Sequence, residues 1–157
     1  MHSTFLEIVS EPMNKSSWTN EEDFLDCCSN YWDYIDKLHD EKREKRLREM
    51  IEISWVSKLF TQGERPDIWI YNGKLEEVKT EWYIKLQKHL DELVEKRGLD
   101  IYHLKTALET GGLGQTLVCL PEWTGTNPTK IIELLDWLKS FKKGDVFYVN
   151  SVYDYHY

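Results

Sequence analysis

The dipeptide Asn72-Gly73 limits what this chain can fold into more than any other pair of residues in it. Between two β-prone runs, Asn-Gly supplies the positive φ angles of a tight hairpin turn, the strongest short-range hairpin signal a sequence offers. Here the flanks are Arg65-Pro66-Asp67-Ile68-Trp69-Ile70-Tyr71 and Lys74-Leu75-Glu76-Glu77-Val78-Lys79. The stretch 65–79 is therefore predicted to be two short strands joined by a two-residue turn. An aspartate follows a proline on the first strand, and a Glu-x-Lys lies on the second.

Helical and strand periodicities place the other elements around that hairpin. Phe5–Val9 reads as a first strand. Thr19-Asn20-Glu21-Glu22 is a helix start, with a capping threonine, a glutamate three residues on and acids against the positive end of the helix dipole. Phe24, Cys28, Tyr31, Ile35 and Leu38 then recur at helical spacing. A charged stretch, His39–Arg46, follows, and Leu47, Met50, Ile51, Trp55 and Leu59 continue the helical stripe to Gly63. One helix of this length would span about 60 Å, so two helices that break near His39–Asp40 suit a small domain better. Thr80–Arg97 forms an amphipathic helix stopped by Gly98. Ile101–Thr110 reads as a strand, Gln115–Leu120 as a buried strand, Thr129–Phe141 as a helix and Val146–Tyr155 as a last strand. The predicted fold class is α+β, a mixed β-sheet with flanking helices in a single domain. Within it, 1–40 forms an acidic N-terminal segment, 41–110 a core and 111–157 a β-α-β extension.

At 157 residues the chain is long enough to bury a core. No apolar run approaches the roughly 20 residues of a membrane helix, and Met1–Thr4 lacks the basic and apolar parts of a signal peptide. Cys27, Cys28 and Cys119 have neither disulfide-framework nor zinc spacing, and are expected to be thiols in a reducing, cytoplasmic compartment. The net charge of −8 is uneven: residues 1–40 carry nine acids and two bases. Such a chain is a poor non-specific binder of nucleic acid, because that binding is dominated by phosphate electrostatics.

Asp67, Glu77 and Lys79 carry the sharpest chemical signal. Two carboxylates can hold a hard divalent cation, and the cation can generate hydroxide from water beside a phosphodiester. A lysine next to them can orient that water. Glu77 and Lys79, two apart on a strand, point to one face. With a regular turn at Asn72-Gly73, Asp67 would face Val78 and project from the other face, so a bulge is needed to bring it round. These residues resemble the PD-(D/E)XK nuclease superfamily, which carries Pro-Asp on one strand and Glu-x-Lys on the next between two helices. Pro66-Asp67, Glu77-Val78-Lys79 and the flanking elements match over residues 41–110. The resemblance implies a restriction-endonuclease-like core, Mg²⁺ held by Asp67 and Glu77, and Lys79 assisting the water. It further implies an acid on the preceding helix, for which Glu44 fits better than Glu49 or Glu52, Gln87 on the following helix, and nucleic acid as partner.

A second reading needs no chemistry. The segment Glu21–Asp40 interleaves Asp26, Asp33 and Asp36 with Tyr31, Trp32 and Tyr34. Rigid aromatics that anchor and acids that steer can engage a basic protein, as an inhibitor or immunity protein does. Gly111–Thr116 resembles a phosphate loop only superficially, with Gln115 in place of the lysine and a strand after it. The five histidines show no ligand-pair spacing.

Overall fold

The computed structural model describes residues 2–23, 34–95, 116–121, 129 and 131–156. It contains a mixed, six-stranded sheet with helices packed against it, the α+β architecture expected. The strands are β1 (His2–Val9), β2 (Tyr34–Lys37), β3 (Phe60–Gln62), β4 (Ile68–Tyr71), β5 (Thr116–Cys119) and β6 (Val146–His156). The helices are α1 (Asp40–Ile51), α2 (Ser54–Leu59), α3 (Leu75–Glu95) and α4 (Ile131–Leu138). The sheet runs β3-β4-β6-β1-β5, and β2 is added beside β6. Among the described residues, β1 and β5 pair in parallel and the other strand pairs are antiparallel.

The helices cover one face. Leu6, Ile8, Phe60, Trp69, Tyr71, Phe147 and Val149 of the strands pack there with Leu47, Val56, Val78 and Leu138 of the helices. Phe147 is the hub, with ring centroids 4.8 Å from Phe141, 5.2 Å from Trp137 and 5.5 Å from Phe60. The other face holds a smaller cluster of Phe5, Ile35, Cys119, Tyr153 and Tyr155.

The predicted hairpin lies one element upstream of where the sequence put it. Both edges of β4 are taken, Phe60–Gln62 of β3 on one side and Val146–Tyr148 of β6 on the other. No edge is left for a strand at 74–79. Past Gly73, at φ 74°, the chain enters α3 at Leu75 instead. The local sequence favours this: Glu76 and Glu77 sit in the first turn, and Val78 and Trp82 fall on the buried side. The true hairpin is β3–β4, closed by the Gly63 amide on the Ile68 carbonyl at 2.7 Å. Gly63 is required there, since a Cβ would come 2.9 Å from Ile68 Cγ2.

Two other expectations are corrected. The first predicted helix is seen only at 21–23, and Tyr34–Lys37, its expected end, is the strand β2. Alternation in Tyr34-Ile35-Asp36, with only Ile35 buried, together with a vacant stretch of β6, outweighs the helical spacing. The second helix divides at Glu52–Ile53, and its predicted end, Phe60–Gln62, is β3. Residues 24–33 and the predicted strand at 101–110 lie outside the described residues.

One side chain closes a gap in the sheet. Along its second edge, β6 pairs with β4 up to Tyr148 and with β2 from Tyr153 onward. Arg43 of α1 fills the interval: its Nε donates to the Asn150 carbonyl at 2.9 Å, and a terminal nitrogen donates to the Val149 carbonyl. The Asp67 carbonyl accepts from the Val149 amide at 2.9 Å, and the Leu38 amide donates to the Val152 carbonyl at 2.8 Å. Replacing Arg43 by Met leaves two strand carbonyls without their donor and should cost about 2–4 kcal/mol. Arg43→Lys should recover little, because one ammonium cannot reproduce the planar fork. Urea unfolding of the two variants beside wild type checks both expectations.

Candidate functional site

The residues proposed from sequence are placed on separate surface contacts. Asp67 lies in the 63–67 loop before β4, not on the ladder. Its carboxylate is 3.1 Å from Arg65 Nε and 3.8 Å from a terminal nitrogen of Arg43. Glu77 and Lys79 are on the first turns of α3 rather than a strand. Glu77 pairs with Lys74 at 3.5 Å, and Lys79 with Glu76 at 3.8 Å. Glu44 pairs along α1 with Arg48 at 3.8 Å, and Gln87 donates to Asp91 at 2.7 Å. Among the described residues no three His, Cys, Asp or Glu side chains are grouped so as to hold a metal ion. Mg²⁺ needs converging carboxylate oxygens. Asp67 instead faces two guanidiniums and Glu77 belongs to another element, so the residues present do not fit that ion.

Asp67 does have an electrostatic task. Burial lowers the Arg43 pKa, and the Asp67 carboxylate opposes that shift. Trp18 covers Arg43 from the other side, its ring centroid 5.0 Å from Cζ. The tryptophan is fixed in turn by donation from Nε1 to the Met13 carbonyl at 3.3 Å.

An acid that sequence reading passed over lies one turn beyond Glu77. Glu81 accepts from Lys58, from Lys85 at 2.7 Å and from Ser54 Oγ at 3.2 Å, clasping α2 to α3. Desolvation works to raise its pKa, but the two lysines outweigh it and hold the carboxylate at about 2. Position 81 is i+4 from Glu77 and i−4 from Lys85, the only signal the sequence contained.

Two constellations remain, both on the C-terminal half of β6. The first is exposed at Asp36 and Tyr34 and partly buried at Asp154. Asp36 of β2 stands directly opposite Asp154 of β6. Beside them Tyr34 is half exposed, and its hydroxyl pKa is raised by desolvation and by the charges of Asp36, Asp154 and Glu21. Arg46 approaches Asp154 at 3.9 Å from α1.

The second is buried. The β1–β6 register slips between Leu6 and Ile8, leaving Asn150 and Ser151 opposite Glu7 in a bulge. Glu7 is fully buried, and its Oε2 accepts from the amides of Thr19 and Ser151, each at 3.2 Å. The Thr19 carbonyl accepts from Lys37 Nζ at 2.8 Å, from Ser151 Oγ at 3.0 Å and from the Tyr153 hydroxyl. Burial lowers the Lys37 pKa, with Glu7, Glu21 and Asp23 pulling it back up. Neither constellation has a motif; both depend on a strand pairing that Glu21–Asp40, read as a helix, concealed.

Acid titration tests the Glu81 clasp. A carboxylate held near 2 when folded and near 4.5 when unfolded adds stability that is complete above 4.5 and lost as pH falls towards 2. Glu81→Gln should cost about 1 kcal/mol at pH 7 and flatten stability over that acid range, read by denaturant unfolding at several pH values.

No family model, no curated protein and no solved structure matches the chain, so its function has to be argued from its own geometry.

Proposed function

We propose that the chain works by binding, as an acidic recognition protein whose β2 face engages a basic protein partner. The observation that carries this reading is the facing pair Asp36 and Asp154. Like charges directly opposite on neighbouring strands oppose folding. Asp154 is partly buried and has Arg46 3.9 Å away, so the charge presented outward at this pair is that of Asp36, which is suited to meeting a cation from outside. Tyr34 beside the pair, more than half exposed, supplies the rigid aromatic anchor typical of interface centres. Glu21 reaches the same strand, its Oε1 accepting from the Lys37 amide at 2.9 Å.

The uneven charge of the chain supports the same direction. The N-terminal 40 residues hold most of the −8, and β2 lies at their end. A field of that sign accelerates encounter with a basic surface and repels nucleic acid. Phosphodiester cleavage has no comparable support, since Asp67, Glu77 and Lys79 are committed to separate ion pairs.

A stability measurement and a binding measurement together test this reading. Asp36→Asn should stabilise the fold by about 0.5 kcal/mol in urea unfolding, because it relieves the facing charges. Basic proteins retained on the immobilised chain at about 0.1 M salt and released by more salt would then be titrated against wild type and a Tyr34→Ala/Asp36→Asn variant. Affinity at least tenfold weaker for the variant is the expected outcome. Equal affinity, or Mg²⁺-dependent DNA cleavage that Glu77→Gln abolishes, would refute it.

A further inference from the structure

Thr19 is held by both of its main-chain groups in a niche whose hydrogen-bonding capacity it does not match. At one end, Glu7 is fully buried and its Oε1 has no hydrogen-bond partner among the described residues, while Oε2 receives two amides. At the other end, three donors converge on one neutral carbonyl, and one of them is the Lys37 ammonium. A carbonyl oxygen has two lone pairs and no charge. The niche therefore has an unused acceptor beside the Thr19 nitrogen and a surplus of donors beside its carbonyl.

An α-amino acid zwitterion corrects both mismatches without changing the spacing. Its ammonium, Cα and carboxylate carbon repeat the nitrogen, Cα and carbonyl carbon that Thr19 places there. The ammonium brings three N–H groups to the Glu7 carboxylate, where an amide brings one. The carboxylate brings about four acceptor positions and a negative charge to Lys37, Ser151 and Tyr153. Buried polar groups are almost always paired, so a buried carboxylate oxygen without a partner calls for a donor, and an ammonium is one that fits.

The segment that carries Thr19 is anchored mainly at Thr19 and its near neighbours. Residues 11–17 are exposed, and their short 3₁₀ turn at Lys15–Ser17 buries no residue. Beyond Thr19 itself, its holds on the sheet include Trp18 on Arg43, Asn150 Nδ2 on Met13 Sδ at 3.5 Å and Glu21 Oε1 on the Lys37 amide at 2.9 Å. Few buried contacts permit local opening at a small fraction of the global stability.

We propose that Glu7, Lys37, Ser151 and Tyr153 form a binding site for the ammonium and carboxylate of a free α-amino acid, which Thr19 fills as an internal stand-in and which the ligand opens by displacing the 10–23 segment. The site is separate from the recognition face, because Lys37 and Tyr34 sit at odd spacing on β2 and point to opposite sides.

The test uses the wild-type chain. Each of the twenty L-amino acids is titrated by calorimetry, followed by the methyl ester and the N-acetyl derivative of any that binds. Hydrogen exchange of the Thr19 amide is followed with and without ligand. At least one amino acid should bind with a dissociation constant of about 1 mM or tighter. Both blocked derivatives should fail, and Thr19 amide exchange should quicken at saturation. Lys37→Met should weaken binding about tenfold. Binding by none of the twenty, equal binding of either blocked form, or a Thr19 amide that stays protected at saturation would overturn the proposal.

Discussion

A strand that borders different partners along one edge must satisfy its backbone where they part. β6 is in that position, with β1 along one side and β4 followed by β2 along the other. Buried main-chain groups left unpaired there would cost as much as several lost hydrogen bonds. The Arg43 guanidinium, planar and rich in donors, supplies the missing ladder from outside the sheet. Because it comes from α1, stacks on Trp18 and faces Asp67, it also fixes a helix, the 10–20 segment and the β3–β4 hairpin against the same strand. Four parts of the chain, α1, the 10–20 segment, the β3–β4 loop and β6, meet at that one guanidinium.

Periodicity revealed the parts of the fold in which local preference and tertiary context agree. Phe5–Val9, Thr116–Cys119, Val146–His156 and the amphipathic helices at 75–95 and 131–138 fall within or overlap the predicted elements. It failed where two periods fit one stretch. Leu75-Glu76-Glu77-Val78-Lys79 reads as a strand on the turn signal of Asn72-Gly73, yet Leu75, Val78 and Trp82 recur at helical spacing. The choice was made by the occupied edges of β4, which no local window contains. Tyr34–Lys37 was misread in the opposite sense, because its pairing partner is more than a hundred residues away.

The candidate site was legible in the same limited way. Asp67 stood out as an acid held in a special local setting, and it does have charged partners, but they are two guanidiniums, Arg65 of its own loop at 3.1 Å and Arg43 of α1 at 3.8 Å. Glu7 gave no signal: in Phe5–Val9 an alternation of apolar residues hides which face is buried, and a glutamate there reads as solvated. Burial of Glu7 depends on the bulge at Asn150–Ser151, a property of two strands and not of one sequence run. Sequences tend to break local rules at sites kept for function. Here three such breaks, the facing aspartates, the unpartnered Glu7 oxygen and the bulge, gather on residues 150–154 of β6 and their neighbours, and the proposed binding roles are placed there for that reason.

The account rests on Asp67 serving as counter-ion to Arg43 and not as a ligand awaiting a cation. A double-mutant cycle with Arg43→Met, Asp67→Asn and the combined variant, each unfolded in urea in the presence of EDTA, measures that relation directly. Coupling of about 1–3 kcal/mol, with Asp67→Asn destabilising on its own, is the predicted result. Additivity within about 0.5 kcal/mol, or an Asp67→Asn chain more stable than wild type as expected for an unfilled metal ligand, would contradict it.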